Sequence, residues 1–283
     1  MAVVTGASRG IGPILAETLA RRGTHLVLAA RNAAELETVA ERLRQLGVRV
    51  LAVPTDVAVP EQRATLVARA LAEFGRIDLL VNNAGLEQVE FFERMTEAQT
   101  DRHLTVNLTA PIQLTRLVLP GMLERETGHI VNIASVAGFG AAAFGETYGA
   151  TKAGLVGFTR SLRASLKTLD RKVSASVVCP GFIASAGMFA DMQAAHAVKA
   201  PPIMGTCTPQ AVADAMITAI ERDEPDCFVG KRPLRLFFAV GLLFPRLIER
   251  LSLALGVNSL FLQAAQATQD AKALPVAKSE LHV

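Results

Sequence analysis

Two hydrophobic periods alternate along the chain. Short runs dominated by Val, Leu, Ile and Ala occupy residues 2–5, 25–29, 48–54, 77–82, 129–134 and 173–179, and each ends in turn-forming residues. Apolar residues at successive positions over such short lengths predict strands buried on both faces. Between them lie longer stretches, 11–22, 33–46, 60–73, 96–124 and 147–169, whose apolar positions recur at helical spacing. In 33–46, Leu36, Val39, Ala40, Leu43 and Leu46 form one stripe, with Glu and Arg between them. Repeated strand–helix alternation predicts an α/β fold, a doubly wound parallel sheet flanked by helices on both faces.

The rhythm changes past residue 181. Residues 182–205 are rich in Ala and Met, carry Pro201 and Pro202 near their end, and read as a mobile loop or short helices. Residues 209–221 predict a helix with Thr208 as N-cap and Pro209 at its first position. Residues 227–229 predict a last short strand, 234–265 are strongly apolar, and 267–283 read as a frayed tail.

Composition narrows the class. With 51% hydrophobic and 19% charged residues, the chain is too apolar to be disordered and has ample material for a core. Its net charge is +3, and no Lys/Arg block of the kind that tracks nucleic acid is present. Cys179, Cys207 and Cys227 are far apart and form no CxxC, so neither a disulfide framework nor a zinc site is indicated. A reducing, cytoplasmic setting is the expectation.

Candidate chemistry begins at Thr5-Gly6-Ala7-Ser8-Arg9-Gly10-Ile11-Gly12, between the first strand and the first helix. Glycines there permit a tight turn and let backbone approach a pyrophosphate at a helix N-terminus, where unpaired N–H groups and the dipole favour anions. The plainer alternative is a strand–helix turn with glycines for packing. After the second strand stands Arg31, with no acidic residue before Glu35. An acid at this place binds ribose hydroxyls, whereas an arginine accommodates a 2′-phosphate. Arg31, with Arg9, therefore favours NADP(H) over NAD(H). Asp56, after the third strand, is a candidate acceptor for an adenine amino group.

The only tyrosine, Tyr148, lies four residues before Lys152. On a helix the two share a face, and a nearby cation is expected to lower the phenol's pKa. The pair then serves as general acid for a carbonyl oxygen or base for an alcohol. Ser135 ends the fifth strand at the carboxyl edge, where α/β sheets place ligands, and can bind the same oxygen. A helix with one buried Tyr and one exposed Lys is the bland alternative; the joint arrangement with the Gly-rich turn argues against it.

These motifs, in order, resemble the short-chain dehydrogenase/reductase family with its single-domain Rossmann core. They are the turn through Gly12, Asp56-Val57, Asn82-Asn83-Ala84-Gly85, Asn107, Ser135, Tyr148, Lys152 and Pro180-Gly181. The resemblance spans residue 2 to about residue 230. It implies that Tyr148 is the acid/base, that Lys152 binds the nicotinamide ribose and lowers the Tyr148 pKa, and that Ser135 holds the substrate oxygen. Asn107 would keep a water in a proton relay behind Lys152. Asn83, Ala84 and Gly85 would flank the adenosine ribose. Pro180 and Gly181 would run beside the nicotinamide, with the Ile183 backbone near its carboxamide. Where many members have Thr, Ser185 would donate to a phosphate. Pro13 follows the last glycine of the turn and costs little so early in a helix.

The expected division is a cofactor-binding and catalytic domain over 1–230 and an apolar helical extension over 231–283. Residues 236–244 are too few for a transmembrane helix. Beyond Pro245, the residues Leu247, Ile248, Leu251, Ala254 and Leu255 form one helical face. Three readings compete for this segment: a subunit interface in a homodimer or homotetramer, a cover over a lipophilic substrate, and peripheral membrane contact. The glycine turn begins so early that no room is expected for a signal peptide. The leading expectation is an NADP(H)-dependent oxidoreductase of the carbonyl reductase type, acting on an apolar ketone or secondary alcohol. The alternatives are a 3-oxoacyl-thioester reductase, a non-catalytic dinucleotide-binding protein, and a membrane-surface interaction protein. Phe139, Phe144, Phe182, Met188 and Phe189 are candidate linings of an apolar pocket.

Overall fold

The buried strands pair into one parallel sheet in a computed structural model that describes residues 1–196, 200, 205–230, 234–254, 256 and 258–273. The strands are β1 (Ala2–Thr5), β2 (Leu26–Ala30), β3 (Val50–Pro54), β4 (Leu79–Asn82), β5 (Gly128–Ile133), β6 (Val173–Pro180), β7 (Phe182–Ile183), β8 (Thr206–Cys207) and β9 (Asp226–Val229). Seven of them run β3-β2-β1-β4-β5-β6-β9, and every pairing is parallel. The chain winds outward from β1 in both directions, so a crevice opens at the carboxyl ends where β1 meets β4. β7 and β8 make a separate two-stranded pair.

The helices are α1 (Gly12–Ala20), α2 (Ala33–Arg44), α3 (Pro60–Phe74), α4 (Glu97–Leu104), α5 (Ala110–Glu124), α6 (Glu146–Thr168), α7 (Met188–His196), α8 (Pro209–Glu221), α9 (Leu234–Leu243), α10 (Pro245–Ala254) and α11 (Ser259–Ala273). Successive strand residues point to opposite faces. Val4, Leu28 and Val81 meet Leu15 of α1, Leu36 of α2 and Met216 of α8. Val3, Val27 and Leu80 meet Leu66 of α3, Leu114 of α5 and Leu166 of α6. The sheet is thus covered on both sides, and burial is near complete in β1, β2, β4 and β6. Only the outermost strands β3 and β9 depart from two-sided burial along most of their length.

Local chemistry sets the helix ends. Asn32 caps α2 by accepting from the Ala34 and Glu35 amides. Thr208 caps α8 through the Ala211 amide, as its position predicts. Residues 96–124 do not form the single helix their periodicity predicts. α4 starts with a capping box between Thr96 and Gln99, and the chain then widens into a π turn over Thr105–Thr109 before α5. Pro111 explains the break: it has no N–H for the carbonyl four residues back, that of Asn107, and its ring crowds that carbonyl.

A buried polar chain ties the sheet to α6. Asn82 Nδ2 donates to Asn132 Oδ1 at 2.8 Å, and Asn132 Nδ2 donates to Thr159 Oγ1 at 2.8 Å. The segment after β6 holds β7 and α7, and the region expected to fray at 267 instead continues α11 to Ala273. Pro201, Pro202, Leu255 and residues 274–283, which carried earlier expectations, lie outside the described residues.

Candidate active site

A cavity of about 780 Å³ opens along the carboxyl ends of β1, β2, β4, β5 and β6. The turn after β1 forms one wall, with Gly6, Ser8, Arg9, Gly10 and Ile11 all lining the space. Gly6 sits at φ +65°, in the left-handed region that favours glycine. Gly12 does not line the cavity. A Cβ there would stand 2.0 Å from the Gly6 carbonyl oxygen, so its role is to let the helix start cross the turn. No side chain caps α1; Pro13 has no N–H and the Ile14 amide bonds the Ile11 carbonyl, which leaves the Gly12 amide at the helix start for an anion. An open turn against an uncapped helix start fits a dinucleotide pyrophosphate.

Thr5 holds this wall to the next strand. Its hydroxyl donates to the Val81 carbonyl and accepts from the Asn83 and Ala84 amides. Asn83 lines the cavity, yet its side-chain amide is engaged with the carbonyls of Thr5 and Gly6. Ala84 and Gly85 line the space beside it, as do Asp56 and Val57. Arg9 and Arg31 are exposed, line the cavity, and have no ion pair among the described residues. Asp56 is paired with Arg102 at 2.7 Å. Burial pushes its carboxyl up, but hydrogen bonds from Arg102 and the Ala58 amide, with the charges of Arg102 and Arg31, hold it below the ordinary aspartate value.

The π turn places Asn107 behind the cavity. Its Oδ1 accepts from the Leu86 amide at 2.7 Å, and its Nδ2 donates to the Leu86 carbonyl at 2.8 Å. This two-way clasp fixes the chain after β4. Helix α6 supplies Tyr148 and Lys152, both buried. The short turn carrying Ser135 approaches α6 closely: a Cβ on Gly138 would lie 2.9 Å from the Lys152 carbonyl. The Ser135 hydroxyl accepts from the Ala137 amide and donates to the Pro180 carbonyl at 3.4 Å. Lys152 Nζ donates to the Ile133 carbonyl at 3.0 Å and stands 5.5 Å from the centroid of the Tyr148 ring. Pro180, Gly181 and Ile183 close the cavity on the β6 side.

Two expectations need correction. Lys152 does not bring the phenol of Tyr148 down. Burial and the negative charge of Glu87 raise it above the usual tyrosine value, with the Ser135 hydroxyl only partly opposing. Lys152 is itself pushed down to about 8 by burial, against the pull of Glu87. Ser185 is also not brought to the cavity. It is exposed, sits at φ +65°, and donates to the Ala184 carbonyl at 2.6 Å.

The family model for short chain dehydrogenases matches residues 1–197. The chain belongs to the short-chain dehydrogenase/reductase family. It is therefore an oxidoreductase on a Rossmann-type fold. A ketoacyl reductase from Nostoc sp. is 37% identical over 260 residues, covering 90% of this chain and 88% of the relative. An oxidoreductase from Escherichia coli is 40% identical over 183 residues, covering 64% of this chain and 68% of the relative. Among solved structures, an actinorhodin polyketide ketoreductase with NADPH superposes with a TM-score of 0.75 at 30% identity, covering 81% of this chain and 94% of that one. A short-chain dehydrogenase/reductase from Burkholderia phymatum in complex with NAD gives 0.72 at 28% identity, covering 80% and 87%.

The sequence reading missed several residues of this dehydrogenase/reductase site. Glu87 is half-buried in the cavity wall, and burial pushes its carboxyl up to about 7, against the charge of Lys152. Arg102 reaches the cavity from α4 to pair with Asp56. Phe238 of α9 and Phe261 of α11 line it, together with Phe182, Met188 and Phe189. Phe139 and Phe144 do not: Phe139 packs on Phe228 and Phe144 on Phe91. No local spacing marks Glu87 or Arg102. Both are placed by how the chain leaves β4 and enters the π turn.

Proposed function

We propose that the chain is an NADP(H)-dependent carbonyl reductase that interconverts an apolar ketone and its secondary alcohol. The observation that carries this reading is buried Tyr148 and Lys152 with half-buried Ser135, sharing one cavity with two cationic side chains, Arg9 and Arg31, that form no ion pair among the described residues. The nicotinamide cofactor supplies or accepts the hydride. Arg31 and Arg9 bind the 2′-phosphate, and the Gly12 amide at the start of α1 binds the pyrophosphate. Asp56 meets the adenine, and the backbone around Asn83 and Ile183 holds the two ends of the dinucleotide.

Ser135 holds the substrate oxygen, and Tyr148 passes its phenolic proton to that oxygen as negative charge develops there. Lys152 binds the cofactor ribose, and Asn107 positions the water that reprotonates the site. Phe182, Phe189, Phe238 and Phe261 form the apolar wall for the substrate. Residues 1–230 then make the catalytic domain, and α9 and α11 extend it by bringing Phe238 and Phe261 to its cavity. A 3-oxoacyl-thioester reductase is the second reading, favoured by the likeness to the ketoacyl reductase from Nostoc sp.. Following cofactor absorbance with NADPH or NADH against simple ketones, apolar bulky ketones and a 3-oxoacyl thioester tests both. The leading reading expects NADPH and a bulky ketone to give the highest kcat/KM. A preference for NADH, or for the thioester alone, contradicts it.

A further inference from the structure

Helices α9 and α10 present an apolar surface that the rest of the described chain leaves open. Leu236, Leu243, Phe244, Leu247 and Leu251 are between 40% and 74% exposed. On α10, Leu247, Leu251 and Ala254 fall on one stripe, and Phe244 at the joint with α9 extends it. Arg246 and Arg250, one turn apart, run along its edge, exposed and without an ion pair among the described residues. The inner side of α9 is different: Phe238 is buried and walls the cavity.

Charge separates the candidate occupants of this surface. Residues 231–254 hold Lys231, Arg232, Arg235, Arg246 and Arg250 against Glu249 alone, a net +4, whereas the whole chain is +3. The remainder is therefore slightly acidic, and the basic excess is confined to the apolar segment. A two-fold contact between copies would place this patch against itself and bring like charges together. An anionic lipid surface complements both properties: it accepts the leucines into the headgroup–acyl boundary and attracts the flanking arginines. At 1.5 Å per residue, the ten residues of each helix span about 15 Å, half the hydrocarbon thickness of about 30 Å. Among the described residues no helix is long and apolar enough to cross a membrane.

We propose that α9 and α10 dock the protein on an anionic lipid bilayer surface, lying in the interface with Leu243, Phe244, Leu247 and Leu251 inserted and Arg246 and Arg250 at the headgroups. Docking sets the wall formed by Phe238 beside the lipid. It does not depend on which substrate the cavity takes.

Co-sedimentation of the full chain with vesicles tests this. Phosphatidylcholine–phosphatidylglycerol vesicles should carry the protein down, and phosphatidylcholine alone should carry much less. Leu247→Glu/Leu251→Glu should abolish binding. Arg246→Gln/Arg250→Gln should weaken it about fivefold per arginine, roughly 25-fold for the pair, and flatten its salt dependence. Cofactor binding should be unchanged in both variants, which shows that each is folded. Three results overturn the proposal: no binding of the wild type to anionic vesicles, binding retained by Leu247→Glu/Leu251→Glu, or equal binding to both vesicle types. Absence of vesicle binding together with a halved mass for Leu247→Glu/Leu251→Glu in light scattering assigns the surface to a second copy instead.

Discussion

Phe238→Ala tests whether the C-terminal helices are built into the catalytic body. The Phe238 ring is buried, with centroids 6.3 Å from Phe139, 6.5 Å from Phe228 and 5.5 Å from Phe237. It also packs tightly on the chain after Ser135, since a Cβ on Gly140 would meet it at 2.8 Å. Burying a phenylalanine is worth about 1.5–3 kcal/mol, and core Phe→Ala changes cost about 3–5 kcal/mol once the residual void is included. One edge of this ring already borders the cavity, which places the expected cost near the lower end, about 3 kcal/mol. For a chain of this size that lowers Tm by roughly 6–12 °C. The same change removes an apolar wall. A bulky apolar ketone should lose about tenfold in kcat/KM relative to a small one, equivalent to about 1.4 kcal/mol of lost contact. Calorimetry and kinetics on a matched ketone pair measure both. A Tm within about 1 °C of wild type, with the ratio of the two ketones unchanged, refutes the packing argument.

Three further outcomes follow from charge. Arg31→Asp should swing the kcat/KM ratio toward NADH, by an amount on the order of 2–4 kcal/mol, because it replaces a phosphate partner with a repelling group; an unchanged ratio removes Arg31 from cofactor choice. The Glu87 carboxyl is raised from 4.5 to about 7 by burial, so the fold favours its neutral form and loses stability as pH rises through that interval. Glu87→Gln should then raise Tm at pH 8 relative to wild type and not at pH 4, and an equal shift at both contradicts the burial argument. Burial raises the Asp223 carboxyl, but hydrogen bonds from Arg163, Lys167 and Ser174 hold it well below 3.8. Its stabilisation is present above that value and fades as pH falls, so the Tm deficit of Asp223→Asn should shrink between pH 7 and pH 3.

The sheet was legible because its strands are continuous apolar runs and its helices end on local caps. β1 and α8 match their expected bounds, and Thr208 and Asn32 act within a few residues of themselves. The break at Pro111 was not read, since the apolar period runs through it undisturbed. The same π turn delivers Asn107, so its clasp on Leu86 is a product of tertiary placement that spacing does not encode. Of the positions carried by resemblance, Tyr148, Lys152 and Ser135 converge, whereas Ser185 turns outward and Gly12 serves packing. The pKa of Tyr148 went in the unexpected direction because a sequence shows the i, i+4 lysine but neither the burial nor Glu87. In α9 the apolar pattern could not separate Phe238, which faces the cavity, from Leu243, which faces out; both are simply apolar in the chain.

In the proposed reaction Tyr148 moves the proton during hydride transfer. Tyr148→Phe removes only the phenolic oxygen from a buried ring, so the cavity and its cofactor contacts stay in place. Titrating NADPH into the variant and measuring kcat on the best ketone reads binding and chemistry separately. The expected result is NADPH affinity close to wild type and a kcat reduced by about 10²–10⁴-fold, the usual contribution of general acid–base catalysis. A variant that keeps more than about a tenth of wild-type kcat contradicts it.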